Sequence, residues 1–297
     1  MKNIFIYCLG LALTLCACIP DPVDIDIPQA EPQLVVASQM LFDRFLLVQV
    51  SRSFGALEFS EEESDTLNQA LLDQILVDRA RVVLFNNGES DTLAGGENGL
   101  YIGFNTLLTP GETYQLSVYD STEQQSVFAE SMVLPQAEWN SLNHEIVFDS
   151  IRLGDTTFND TLLSLEVSFE DFAEENYYMI NLYKVSLDSQ QVAGGFNNAL
   201  IGSGNQNTFA LADQLYPSTL IEDTLFTNQF RPGDTIAVAL SHISPIYYQY
   251  LSTRARSNGS IFANLLGEPV SYPSNVDGGL GMFNLHLPNI RFLVLEE

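Results

Sequence analysis

Three histidines, three cysteines and 38 acidic side chains are the groups in this 297-residue sequence from which chemistry could be built. His144, His242 and His286 make a Ser-His-Asp triad arithmetically possible. No G-x-S-x-G elbow precedes a helix, however, and the glycine-rich "IGSGNQ" at 201–206 lacks that pattern. Each histidine sits beside a strand or helix start, where a surface or capping role is expected, so no catalytic residue is assigned. Cys8, Cys16 and Cys18 have no second cysteine pair or nearby histidine to complete a tetrahedral site, so no metal and no cofactor is assigned.

The acids read mostly as solvated faces. Glu61, Glu62, Glu63 and Asp65 are nearly contiguous, and Asp149, Asp155 and Asp160 flank one loop, but neither group follows the D-x-D-x-D-G spacing of a calcium loop. "FEDFAEENYY", 169–178, mixes acids with aromatics as a sugar cleft would, and paired carboxylates there would suit glycoside hydrolysis. The same composition describes an exposed strand connection above a core, which is the reading preferred here. Asp-Thr recurs at Asp65, Asp91, Asp155, Asp160, Asp223 and Asp234. Since Asp favours turns and Thr favours strands, the pair is read as a strand-opening habit.

One cysteine does carry a specific chemistry. Met1 and Lys2 give a positive start, and Ile4 to Leu15 is a twelve-residue apolar stretch, too short to span a bilayer as a stable helix but of signal-peptide length. Cys18 follows the small Ala17 and has Leu15 three positions before it, the lipobox pattern of bacterial lipoprotein signals. Cys16 would need cleavage after the bulky Leu15. Residues 1–17 are therefore expected to be removed, with Cys18 acylated as the first mature residue. Each buried methylene contributes about 0.8 kcal/mol, so several acyl chains would hold the protein permanently at a membrane. Residues 18–32 read as a tether, stiffened by Pro20, Pro22, Pro28 and Pro32 and solvated by Asp21, Asp24, Asp26 and Glu31.

The formal charge of -27, with only two lysines and no basic cluster, argues against a nucleic-acid partner. Apolar content of 46% is ample for an ordinary core. From residue 33 onward, short strand signals alternate with turns. They cover 33–40, 44–53, 80–85, 100–104, 113–119 and 125–134, with Asn86-Asn87-Gly88 as a hairpin turn. "TPGETYQLSV" at 109–118 places Tyr114, Leu116 and Val118 on one face, and "RPGDTIAVAL" at 231–240 repeats the device with Ile236, Val238 and Leu240.

These patterns predict a mainly β protein in two parts. Residues 33–135 form an Ig-like or transthyretin-like β-sandwich, 136–143 a linker with Trp139 in the joint or the core, and 144–297 a second β-rich domain. That second domain carries at least one packed helix near 244–257, with Ser244 as N-cap, Pro245 at the first helical position and Ile246, Tyr247, Tyr250 and Leu251 on its apolar face. A shorter helix is predicted over 65–77.

Several stretches together resemble a known family: "VDIDIP" ending the tether, "EPQLVVASQM", "ARVVLFNNGES", "GLYIGF", "PGETYQLSV" and the C-terminal "YPSNVDGGLGMFN". They are similar to an uncharacterised lipoprotein family of Bacteroidota, classed as a domain of unknown function and often encoded beside TonB-dependent outer-membrane receptors. The resemblance implies an N-terminal sandwich similar to carboxypeptidase regulatory domains and a place on the outer membrane, facing the surface or the periplasm. It brings no catalytic residues. "SEEESDTLNQALLDQ" at 60–74 departs from the family pattern as an acidic insertion before the third strand.

The expected function is that of a lipid-anchored, non-enzymatic accessory or ligand-capturing partner of a TonB-dependent receptor. Two readings stand beside it: a surface hydrolase acting on glycan or peptide, and an adhesin or structural surface module.

Overall fold

The computed structural model describes residues 31–41, 45–53, 75–95, 98–104, 106–153, 156–185, 207–259 and 271–296; the side chains of 149–160 and 258–259 are not among them. The alternating segments of the first part become β1 (Leu34–Leu41), β2 (Phe45–Arg52), β3 (Ala80–Asn86), β4 (Glu89–Thr92), β5 (Ala94–Gly95), β6 (Leu100–Gly103), β7 (Thr113–Asp120) and β8 (Gln125–Met132). One sheet runs β1-β2-β6-β5 and the other β8-β7-β3-β4. Val36, Leu46, Val48 and Val50 from one sheet and Val82, Leu116, Val118 and Val127 from the other are fully shielded between them. The period-2 pattern thus puts one face of every strand into a shared core.

The second part comprises β9 (Trp139–Leu153), β10 (Thr156–Glu170), β11 (Tyr177–Lys184), β12 (Thr208–Ala212), β13 (Leu220–Thr227) and β14 (Thr235–Ile243), followed by helix α1 (Pro245–Gly259). Three strands in the order β13-β10-β9 face a sheet that begins β12-β11-β14. Leu163, Leu165, Val167 and Phe169 meet Tyr178, Ile180, Val238 and Leu240 in the second core. Both parts are Ig-like sandwiches.

The final strands depart from the expected boundaries. β15 (Val276–Asp277) pairs antiparallel with β8, and β16 (Leu280–Met282) pairs parallel with β1, so the C-terminal segment closes the open edge of the first sandwich. Val276, Phe283 and Leu285 are buried in the first core. Only β17 (Asn289–Val294) returns to the second sandwich, beside β14. Residues 144–297 are therefore not one domain: apolar positions near 276–285 fill a space that the first 135 residues leave open. The expected linker 136–143 is also partly strand. Trp139 opens β9, a register irregularity at Ser168/Phe169 accommodates it, and its ring packs edge-to-face on Phe169 in the second core.

The glycines of 277–281 make this return possible. Gly281 has φ 112°, and a Cβ there would collide with the Val36 carbonyl oxygen. Only glycine permits so close a backbone approach.

The two Pro-Gly turns fold alike. Gly111 N–H donates to Val133 O at 2.8 Å and Gly233 N–H to Leu295 O at 2.7 Å, while Val133 and Leu295 each return an N–H to the carbonyl of the acidic residue after the glycine. In the first sandwich the Tyr114 hydroxyl also donates to Leu107 O and accepts from Thr109 N–H, both at 3.1 Å, pinning the turn to the strand. This is the tyrosine-corner arrangement of Ig-like sandwiches.

Helix α1 starts where Ser244 was expected to cap it: Tyr247 N–H reaches the Ser244 hydroxyl at 3.4 Å. Its buried Tyr247 and Leu251 pack on Met179 of β11, Ile243 of β14 and Met282 of β16, so the helix bridges the two sandwiches. The predicted helix over 65–77 lies almost wholly outside the described residues; Leu76 makes an isolated bridge to Ser51.

Candidate functional site

Ig-like sandwiches carry variable chemistry on the loops that join their strands, because the sheets hold those loops in place. In the second sandwich, the β10–β11 connection supplies Asp171, Glu174 and Glu175, and the β12–β13 connection supplies Asp213, Gln214 and Tyr216. Together they line a shallow depression of about 260 Å³.

Hydrogen bonds fix the floor of this depression. Tyr178 donates to Asp171 Oδ1 at 2.6 Å and accepts from Phe172 N–H at 3.1 Å. Asn176 donates its backbone N–H to Asp213 Oδ2 at 2.7 Å and its amide to the carbonyls of Glu174 and Phe172 at 2.7 and 3.1 Å. The Tyr216 hydroxyl donates to Asp223. Burial, reinforced by these carboxylate partners, raises the pKa of both Tyr178 and Tyr216, so each stays a neutral donor. Tyr177 bonds Glu175 and packs its ring 4.6 Å from that of Tyr248 on α1. The surface is thus acidic, tyrosine-rich and held by backbone contacts, suited to hydrogen-bonding a polar or cationic group.

The predicted site residues are dispersed. "FEDFAEENYY" does frame the depression, spanning the end of β10 and the start of β11. Asp213, Gln214 and Tyr216 were not anticipated, although "ADQLYPS" between two apolar runs was a legible loop signal. Cys18, Glu61, Glu62, Glu63, Asp65 and 201–206 lie outside the described residues, as do the side chains of Asp149, Asp155 and Asp160. Among the described residues no group of three His, Cys, Asp or Glu is arranged to hold a metal.

Two histidines are buried, contrary to the expected surface roles. His242 on β14 is 7% exposed, with its ring between Phe172 and Tyr178 at 4.8 and 5.3 Å and a bond to the Pro135 carbonyl. Burial lowers its pKa, partly offset by that bond and by Asp171. His286 is 1% exposed in the segment joining β16 to β17, 3.1 Å from the Asn284 amide and stacked against Tyr247. Burial pushes its pKa down to about 4. His144, on β9 opposite Leu165, is half-buried.

A tandem of two Ig-like sandwiches, the first completed by the C-terminal chain, is the class of molecule these observations define. The chain belongs to the DUF4249 family, a domain of unknown function, which it matches over residues 20–286. No curated protein matches it. Among solved structures it is similar to a two-domain fibronectin type-III segment from chicken tenascin, at 9% identity and a TM-score of 0.22, over 89% of this chain and 98% of that one.

Proposed function

We propose that this protein is a lipid-anchored, non-enzymatic surface protein that captures a ligand for, or assembles with, a TonB-dependent receptor of the bacterial outer membrane. The observation that carries the binding role is the acidic depression, with Tyr216 in its lining, on the loops of the second sandwich. Asp171, Glu174, Glu175 and Asp213 give its lining a negative character, and the Tyr216 ring adds an aromatic surface. His242 and His286 support the same reading, because their contacts are those of packed core residues rather than of a base serving a nucleophile. Attachment rests on Cys18 and the acidic, proline-rich stretch behind it. No helix among the described residues is long and apolar enough to cross a membrane.

Three measurements test the proposal. Cys18→Ala is expected to move the protein from the membrane to the soluble fraction, and retention at the membrane overturns the anchor. Cross-linking in intact cells followed by detergent purification is expected to recover a receptor barrel. Recovery of this chain alone overturns the partnership. Paired Asp171→Asn and Asp213→Asn substitutions are expected to weaken ligand capture without altering membrane attachment.

A further inference from the structure

The recurring Asp-Thr pair is not explained by strand opening. With 18 Asp and 16 Thr in 297 residues, random order would place Thr directly after Asp about once; it does so six times, and in five of the six an Ile or Leu follows. Thr156 and Thr235 do open β10 and β14. Thr92, by contrast, closes β4, and Thr161 and Thr224 lie inside β10 and β13. Asp is disfavoured within strands, so these positions require another reason.

Two of the triplets share a specific setting. Thr92 and Thr224 are exposed, while the following Leu93 and Leu225 are buried at 4% and 5%. Each lies on a strand that is outermost among the described residues, β4 in one sheet and β13 in another, and an outermost strand presents backbone groups that a partner strand can pair. Neither hydroxyl has a hydrogen-bond partner among the described residues. Asp91 is exposed beside Thr92, whereas Asp223 accepts the Thr224 N–H at 2.7 Å and the Tyr216 hydroxyl. Thr235 differs on every count: its strand is interior, it is only half-exposed, and Asp234 is paired with Lys184 at 2.7 Å.

We infer that Thr92 and Thr224 are acceptor hydroxyls for O-linked glycans, attached by a transferase that reads an edge strand carrying acid, hydroxyl and apolar residue in succession. The inference rests on the proposed location outside the cytoplasm. In the reaction, Thr Oγ1 attacks the anomeric carbon of a glycosyl phosphate donor. The bond from that carbon to the phosphate oxygen breaks, phosphate leaves with the electron pair, and the hydroxyl proton passes to a base of the transferase. A neutral sugar suits these sites, whereas a phosphate beside Asp91 or Asp223 would add charge to a chain already at -27 and be repelled. A bulky hydrophilic group also protects an exposed sheet edge against pairing with other chains.

Mass spectrometry of the full chain purified from its own cells tests this. Peptides containing Thr92 and Thr224 are expected to carry increments of sugar residues, removed by alkaline β-elimination. Thr92→Val and Thr224→Val should each abolish one increment, Thr224→Ser should retain it, and Asp91→Asn should reduce occupancy at Thr92. Thr122 and Thr219, exposed but not preceded by an acid, should be unmodified. Unmodified Thr92 and Thr224 peptides, a phosphate increment, or equal modification at Thr122 and Thr219 would overturn the inference. The N-terminal peptide in the same digest reports acylation of Cys18, so failure of the glycan inference and failure of the anchor reading are distinguished.

Discussion

The side-chain amide of Gln39, on β1 of the first sandwich, donates a 2.9 Å hydrogen bond to the hydroxyl of Tyr183, on β11 of the second. Burial pushes the Tyr183 pKa up to about 12, opposed by its bonds to Gln39 and Asn181. Tyr183→Phe leaves the Gln39 amide without this acceptor and is expected to cost about 1–2 kcal/mol. Pairing it with Gln39→Leu should recover part of that loss. Urea titrations of the two single variants and the double variant measure the coupling, and strict additivity would remove this bond as a fastening between the sandwiches.

The glycine return of the C-terminal segment makes a sharper prediction. Gly281→Ala drives a methyl group into the Val36 carbonyl at a positive φ, and should cost about 4 kcal/mol or more. Gly88→Ala is the control, since its φ of 84° is also positive but a Cβ there meets open space; it should cost only about 1–2 kcal/mol of left-handed strain. Similar melting temperatures for the two variants would contradict the close contact between β16 and β1.

Arg52 and Asp120 form an ion pair in which the Asp120 side chain is 0% exposed. Burial would raise this carboxyl, but the Thr122 N–H and Arg52 outweigh it and hold it below the usual carboxylate range. The stabilisation is present above the unfolded-state carboxyl pKa and is lost as pH falls through the lower folded value. Arg52→Met leaves a buried, unpaired charge and should cost about 3–5 kcal/mol at neutral pH. Calorimetry at pH 7 measures it.

His286 titrates in the opposite sense from a paired histidine. With its folded pKa depressed to about 4, the unfolded chain binds a proton below pH 6.5 that the folded chain does not. Stability from this group is therefore full above about pH 6.5 and falls between 6.5 and 4, by about 3 kcal/mol over the window. His286→Gln should flatten that part of the pH profile in denaturant titrations. An unchanged slope would show that His286 is not the group responsible.

Local pattern carried much of the fold. "TPGETYQLSV" places Tyr114, Leu116 and Val118 inward as the alternation requires, and the helix begins at Pro245, directly after Ser244, as expected. "RPGDTIAVAL" was only half legible: Ala237 and Ala239 are buried as well as Ile236, Val238 and Leu240, because the sheet containing β14 is covered over much of both faces. Pairing between distant segments left no local trace. Leu280 lies beside Val35 across some 245 intervening positions, and nothing near residue 280 announces that partner. The depression was legible on its β10–β11 side, where acids and aromatics are adjacent. Asp213 and Tyr216 reach it only through sheet topology. The burial of His242 and His286 was equally hidden, since the rings against them belong to Phe172 and Tyr178 in the one case and to Tyr247 of α1 in the other, each some forty or more positions away.

The position of β1 governs how the molecule bears force. It has β2 antiparallel on one flank and β16 parallel on the other, and the N-terminal chain leads directly into its first residue, Leu34. A pull on that chain runs along the axis of β1, so the hydrogen bonds on both flanks are loaded together in shear rather than broken one after another. Because β16 supplies one flank, a segment some 245 positions further along the chain shares the tension applied through Leu34.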